Sequence, residues 1–149
     1  MRFAILTLTA ALAASPALAS DTADVASTIN TYNDSFNKGD TATFASLCSA
    51  QTIIIDDFAP HAWQGANACM DWAHALMTSD KASGISNEKV TLGKVWHVSV
   101  TGDRGYAVYP TTYTYKQNGK PVTEHGVWTF ALQKLVAGWR ITGWAWAQH

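Results

Sequence analysis

Basic residues are scarce in this chain and never cluster. Ten Lys and Arg stand against eleven Asp and Glu, for a formal net charge of −1. With no basic run, nothing neutralises a phosphate backbone, and nucleic acid is not expected as a partner. Cysteine is limited to Cys48 and Cys69. No C-x-x-C occurs, which argues against a dithiol redox enzyme. The five histidines, His61, His74, His97, His125 and His149, form no H-x-x-x-H or H-x-H pair, so the pattern predicts no metal site. G-x-S-x-G, P-loop and dinucleotide fingerprints are missing as well, which sets aside nucleophile-elbow and nucleotide-dependent chemistry and leaves no cofactor expected.

The N-terminus has the layout of an export leader. Arg2 supplies a short positive start, Phe3 to Ala14 is apolar without charge, Ser15-Pro16 breaks the run, and Ala17-Leu18-Ala19 offers a small-x-small cleavage site. The apolar run is short of the roughly 20 residues that a spanning helix needs, and no later stretch is long and apolar enough. No Cys follows the cleavage site to carry a lipid. The reading is a leader over 1–19, a single mature domain over 20–149, a periplasmic or secreted destination, and no membrane partner. In an oxidising compartment an even pair of cysteines reads as a disulfide, with two separately buried thiols as the alternative.

Aromatic residues are abundant: seven Trp and five Tyr exceed what packing a core of this size requires. Part of that surface is expected to line a cavity or an interface.

Periodicity divides the domain in two. Val25, Ile29, Tyr32 and Phe36 mark one face of a helix over Asp24 to Lys38. Gly39 stops it, and Asp40 caps a second short helix with Phe44, Leu47 and Cys48 inward. Thr52 to Asp57 is β-branched and predicts a strand. Ala66 to Thr78 predicts a third helix with Cys69, Trp72, Ala73 and Leu76 on one side, and Ser79 to Asn87 a polar loop. From Glu88 onward the period is two: one strand to Thr101, another over Arg104 to Lys116, an Asn118-Gly119 hairpin, a return over Pro121 to Lys134, and a last strand over Gly138 to Gln148. Gly126, Trp128, Phe130 and Leu132 share a face, as do Tyr109, Thr111, Tyr113 and Tyr115. Val90, Leu92, Trp96 and Val98 read as an outer apolar surface that a second copy covers, which predicts a homodimer. The fold class is α+β, a curved antiparallel sheet wrapped around three N-terminal helices.

Several stretches resemble the nuclear transport factor 2-like superfamily, which includes ketosteroid isomerases, scytalone dehydratases and SnoaL-like polyketide cyclases. They are Tyr32-Asn33-Asp34-Ser35-Phe36-Asn37-Lys38-Gly39-Asp40, the Ile53-Ile54-Ile55-Asp56 strand, Trp63-Gln64-Gly65, Gly126-Val127-Trp128-Thr129-Phe130 and Gly138-Trp139-Arg140-Ile141. The resemblance covers nearly all of the mature chain and implies a cone-shaped fold of the cystatin-like type. From Tyr32 to Trp72 the chain aligns without a gap to a bacterial ketosteroid isomerase. By that resemblance Tyr32 falls on the oxyanion-stabilising tyrosine, Asp56 on the proton-moving aspartate and Trp72 on an aromatic pocket position. The protonated aspartate that completes such a site falls at Gly126 and is absent. The same fold packs the second helix on the third, which would bring Cys48 to Cys69.

Each of these residues also has an ordinary reading. Tyr32 suits a core aromatic with a satisfied hydroxyl, Asp56 a turn cap before Asp57, and His61 an exposed loop residue rather than a proton shuttle. Trp63, Trp72, Tyr109, Tyr113 and Trp128 are the candidate pocket walls. Three functions follow: a binding domain for a small, largely apolar molecule; a cofactor-free isomerase, cyclase or dehydratase with Asp56 as base and Tyr32 as donor; and a dimerisation scaffold with a filled pocket. The loss of the acid at Gly126 favours the first.

Overall fold

The computed structural model describes residues 16–149. The apolar run on which the leader reading rests lies outside the described residues. Three helices, α1 (Pro16–Lys38), α2 (Thr41–Ser46) and α3 (Ala68–Ser83), pack against seven strands. These are β1 (Cys48–Ile55), β2 (Ala62–Gln64), β3 (Ile85–Leu92), β4 (His97–Thr101), β5 (Arg104–Gln117), β6 (Lys120–Leu135) and β7 (Gly138–Gln148). The sheet order is β2-β1-β7-β6-β5-β3, with β4 paired to the other half of the β5 edge. Every pairing is antiparallel except β1 with β7, which is parallel. The expected α+β cone is what forms, with a mixed sheet in place of a purely antiparallel one.

The helix periodicity translates directly into burial. Val25, Ile29 and Tyr32 on α1 are fully buried, and Gly39 ends the helix at φ +67°. Asp40 caps α2, its Oδ1 accepting the Thr43 N–H at 3.1 Å. In β6, Gly126, Trp128, Phe130 and Leu132 are all buried, as the alternation requires. Asn37 fastens α1 to the sheet edge: its Oδ1 accepts the Val90 N–H and its Nδ2 donates to the Val90 carbonyl, both at 2.8 Å.

Four expectations are corrected. Helix α1 begins at Pro16, upstream of Asp24. The polar stretch after Thr78 is not a loop: α3 continues to Ser83 and stops at Gly84, whose left-handed φ of 68° lets its N–H reach the Asp80 and Lys81 carbonyls. The single strand over 88–101 is two, broken opposite Pro110. That residue has no N–H to continue the ladder, and the Gly93 N–H closes onto the Pro110 carbonyl at 2.8 Å. Finally, Val90, Leu92 and Val98 are not on the outer face; they pack against the core, and of that set Trp96 alone is well exposed, at 61%.

The disulfide forms between Cys48 and Cys69. Its helical partner is α3 as expected, but Cys48 is the first residue of β1 rather than part of α2, which ends at Ser46. The bridge therefore ties a strand end to α3. No described helix is long and apolar enough to cross a membrane.

Candidate functional site

Asp56 follows directly on β1, where the chain leaves the sheet for the loop to β2. Its N–H donates to the His61 carbonyl at 3.1 Å, holding the loop closed on itself. Its carboxylate is fixed from two sides. Oδ2 accepts the Trp72 indole N–H at 2.8 Å, and Oδ1 accepts the Asp57 backbone N–H at 2.8 Å. Burial outweighs both donors and raises the carboxyl pKa to about 6. The aspartate thus caps an amide, as its ordinary reading has it, and also faces a cavity with raised basicity.

That cavity has a volume of about 90 Å³. Its walls are dominated by rings: Phe36 from α1, Phe58 from the loop, Trp72 from α3, Tyr113 from β5, Trp128 from β6, and Trp144 and Trp146 from β7. Leu76 and Val90 add aliphatic surface, and Asp56, Asp57 and Glu124 supply three carboxylates. Among the described residues no Lys, Arg or His lines it. The rings are braced against one another: Trp144 stands edge-on to Trp72 and Trp128, with centroids 5.0 and 5.3 Å away. The Trp146 N–H donates to Thr111 Oγ1 at 3.0 Å. The Trp128 Nε1 is buried with no partner among the described residues, which leaves one donor free at this wall.

Of the sequence-predicted residues, Asp56, Trp72, Tyr113 and Trp128 meet at the cavity. Tyr32, Trp63 and Tyr109 do not line it. Tyr32 lies behind the wall, fully buried and stacked on Phe44 at 4.3 Å. Its hydroxyl is occupied on both counts. The oxygen accepts the Trp144 N–H at 2.9 Å. Its proton points to Cys69 Sγ at 3.8 Å, and a disulfide sulfur has no hydrogen to give in return. Burial pushes the phenol pKa well up. Trp63 packs on Phe58 with centroids 5.0 Å apart, and Tyr109 packs edge-on to Phe130 in the core. His61 is exposed; its Nδ1 lies 3.3 Å from the Asp56 carbonyl oxygen, not the carboxylate.

Sequence reasoning passed over Glu124, Trp144 and Trp146, although period two carried the signal. Glu124 shares the inward face with Gly126 and Trp128, and Trp144 and Trp146 alternate in the last strand. Gly126 itself has a direct explanation. A Cβ there would come within 2.6 Å of the Trp146 ring. The indole occupies the space that an acidic side chain at this position would need.

Outside the cavity a second acidic group gathers where α3 meets β3 and β5. Tyr113 donates its hydroxyl to Glu88 at 2.7 Å, and burial with the nearby Glu88 charge raises Asp80 to about 7. Among the described residues no group of three or more side chains is arranged to hold a metal.

Comparison with known proteins agrees with this architecture. Residues 25–145 match the family of the SnoaL-like domain. Among solved structures, a ketosteroid isomerase-like protein from Erwinia carotovora atroseptica shares 14% identity over 86% of this chain and 95% of its own, with a TM-score of 0.69. An NTF2-like protein with a cystatin-like fold from Novosphingobium aromaticivorans shares 19% over 87% and 82%, at 0.71. A type 2 hexachlorocyclohexane dehydrochlorinase shares 8% over 88% and 86%, at 0.75. Identities this low establish the fold alone. No curated protein matches significantly.

Proposed function

The chain belongs to the SnoaL-like domain family, and from that membership we propose that it binds a small, largely apolar molecule in the aromatic cavity beside Asp56. The carrying observation is the lining: seven rings around a carboxylate whose pKa is lifted to about 6. A dry cavity of about 150 Å³ admits benzene; one of about 90 Å³ is smaller and suits the end of a longer molecule. Four of the seven tryptophans line it, so ligand binding is expected to quench intrinsic fluorescence saturably. A panel of enones, β-keto compounds and small cyclic molecules that leaves the emission unchanged at millimolar concentration favours a scaffold with a filled pocket instead.

A second reading, proton transfer, is favoured by Asp56 itself. It is a half-buried base poised within reach of physiological pH and oriented by the Trp72 indole, as general base catalysis requires. The oxyanion donor assigned to Tyr32 by resemblance lies behind the cavity wall and would have to withdraw its O–H from Cys69 Sγ, so this reading rests on Asp56 alone.

Export and dimerisation belong to the same proposal. A buried disulfide suits an oxidising compartment. A dimer through the outer sheet face is now carried by Ile53 and Ile55 on β1 and Tyr106 on β5, exposed at 45%, 53% and 42%. Sedimentation at micromolar concentration is expected to give twice the chain mass; a single-chain mass removes the dimer.

A further inference from the structure

Resting on that binding reading, we infer that the cavity selects a positively charged molecule: a small organic cation of the alkylammonium class. The wall chemistry carries the inference. Aromatic faces and carboxylates surround the space, and among the described residues no cationic side chain answers them. A neutral apolar occupant would strip water from the Asp56 carboxylate and leave its charge unpaired, which costs free energy. An ammonium group compensates the same charge and gains the attraction of the ring faces, for which indole is the best of the side chains.

Two wall rings are prepared for this role. The Trp72 N–H donates to Asp56 Oδ2 at 2.8 Å, and the Tyr113 hydroxyl donates to Glu88 Oε2 at 2.7 Å. An anion at the donor edge of each ring pushes electron density toward its face, which deepens the attraction for a cation. Glu124 accepts the Tyr115 hydroxyl at 2.6 Å and holds further negative charge at the wall. Asp57, at the exposed end, presents negative charge where a ligand would enter and steers cations over anions.

The experiment uses three molecules of matched shape: choline, the neutral 3,3-dimethylbutan-1-ol and the anionic 3,3-dimethylbutanoate. Affinities are read by tryptophan fluorescence and calorimetry on the whole protein. Choline is expected to bind at least tenfold more tightly than the alcohol, with no binding by the carboxylate. In Asp56→Asn the preference for choline over the alcohol is expected to narrow about tenfold. Equal or tighter binding of the alcohol overturns the cation inference and leaves the apolar pocket standing. An unchanged preference in Asp56→Asn also overturns it, because the charge compensation argued above is then absent. If choline does not bind at millimolar concentration the cation inference falls, and the binding reading falls with it only when the panel of enones, β-keto compounds and small cyclic molecules also leaves the emission unchanged.

Discussion

Replacing Asp56 by asparagine is expected to abolish any proton transfer the protein performs, lowering turnover by roughly 10²- to 10⁴-fold, the usual worth of a positioned general base. The amide keeps the shape of the side chain, and its one oxygen can still accept the Trp72 indole N–H at the loss of the Asp57 N–H, but it cannot take a proton. The same substitution reports on stability. Asp56 holds its proton up to about pH 6 in the folded chain and releases it near 3.8 when unfolded. Between those values the native state binds more protons, so this group's contribution to stability declines as pH rises from about 4 to about 6 and is flat beyond. Asp56→Asn is therefore expected to melt higher than the parent at pH 8, with the difference shrinking toward pH 4. Tyr32→Phe is the companion measurement. It strands the buried Trp144 N–H, at a cost of about 1–3 kcal/mol. Full turnover in Asp56→Asn removes Asp56 from the chemistry. A rate loss in Tyr32→Phe at unchanged stability would return Tyr32 to it.

Breaking the Cys48–Cys69 bridge is expected to cost about 3 kcal/mol, given the 21 residues separating the two cysteines and the chain-entropy relation for a loop of that size. For a domain of this length the melting temperature should fall by roughly 10 °C. Urea melts of the oxidised protein, the reduced protein and a double Cys→Ala variant measure the loss. Coincident curves, or two reactive thiols in the denatured unreduced protein, would sink the expectation. The bridge also sits beneath the site, since Cys69 Sγ accepts the hydrogen bond of the Tyr32 hydroxyl. Its loss should therefore loosen the Tyr32–Trp144 pair, visible as a change in tryptophan emission before unfolding begins.

What could be read without the structure follows from how far each cause lies along the chain. The α1 face, the hairpin at Asn118-Gly119 and the inward set of β6 are local patterns, and they appear where the periodicity puts them. The β3–β4 break is not local: it is imposed by Pro110 on a neighbouring strand. The end of α3 was hidden by composition, because a polar run from Ser79 reads as a loop until Gly84 is recognised as the stop. Asp56 was legible as a strand-end carboxylate and Trp72 by alignment. The fate of the Tyr32 hydroxyl was not, because its partner is 112 residues away and no local pattern links the two.

The Gly126–Trp146 contact constrains the routes by which this protein and an isomerase-type relative could be interconverted. A lone Gly126→Asp change drives a side chain into the indole, whose nearest ring atoms lie 2.6 Å from the new Cβ. Trimming Trp146 first opens a void in the wall and strips Thr111 of its indole donor. Each single step passes through a less stable sequence, and only with Trp146 already trimmed does an acid at 126 find room. The pair is therefore expected to drift as a unit: among descendants of this chain, an acid at 126 should be found beside a small residue at 146.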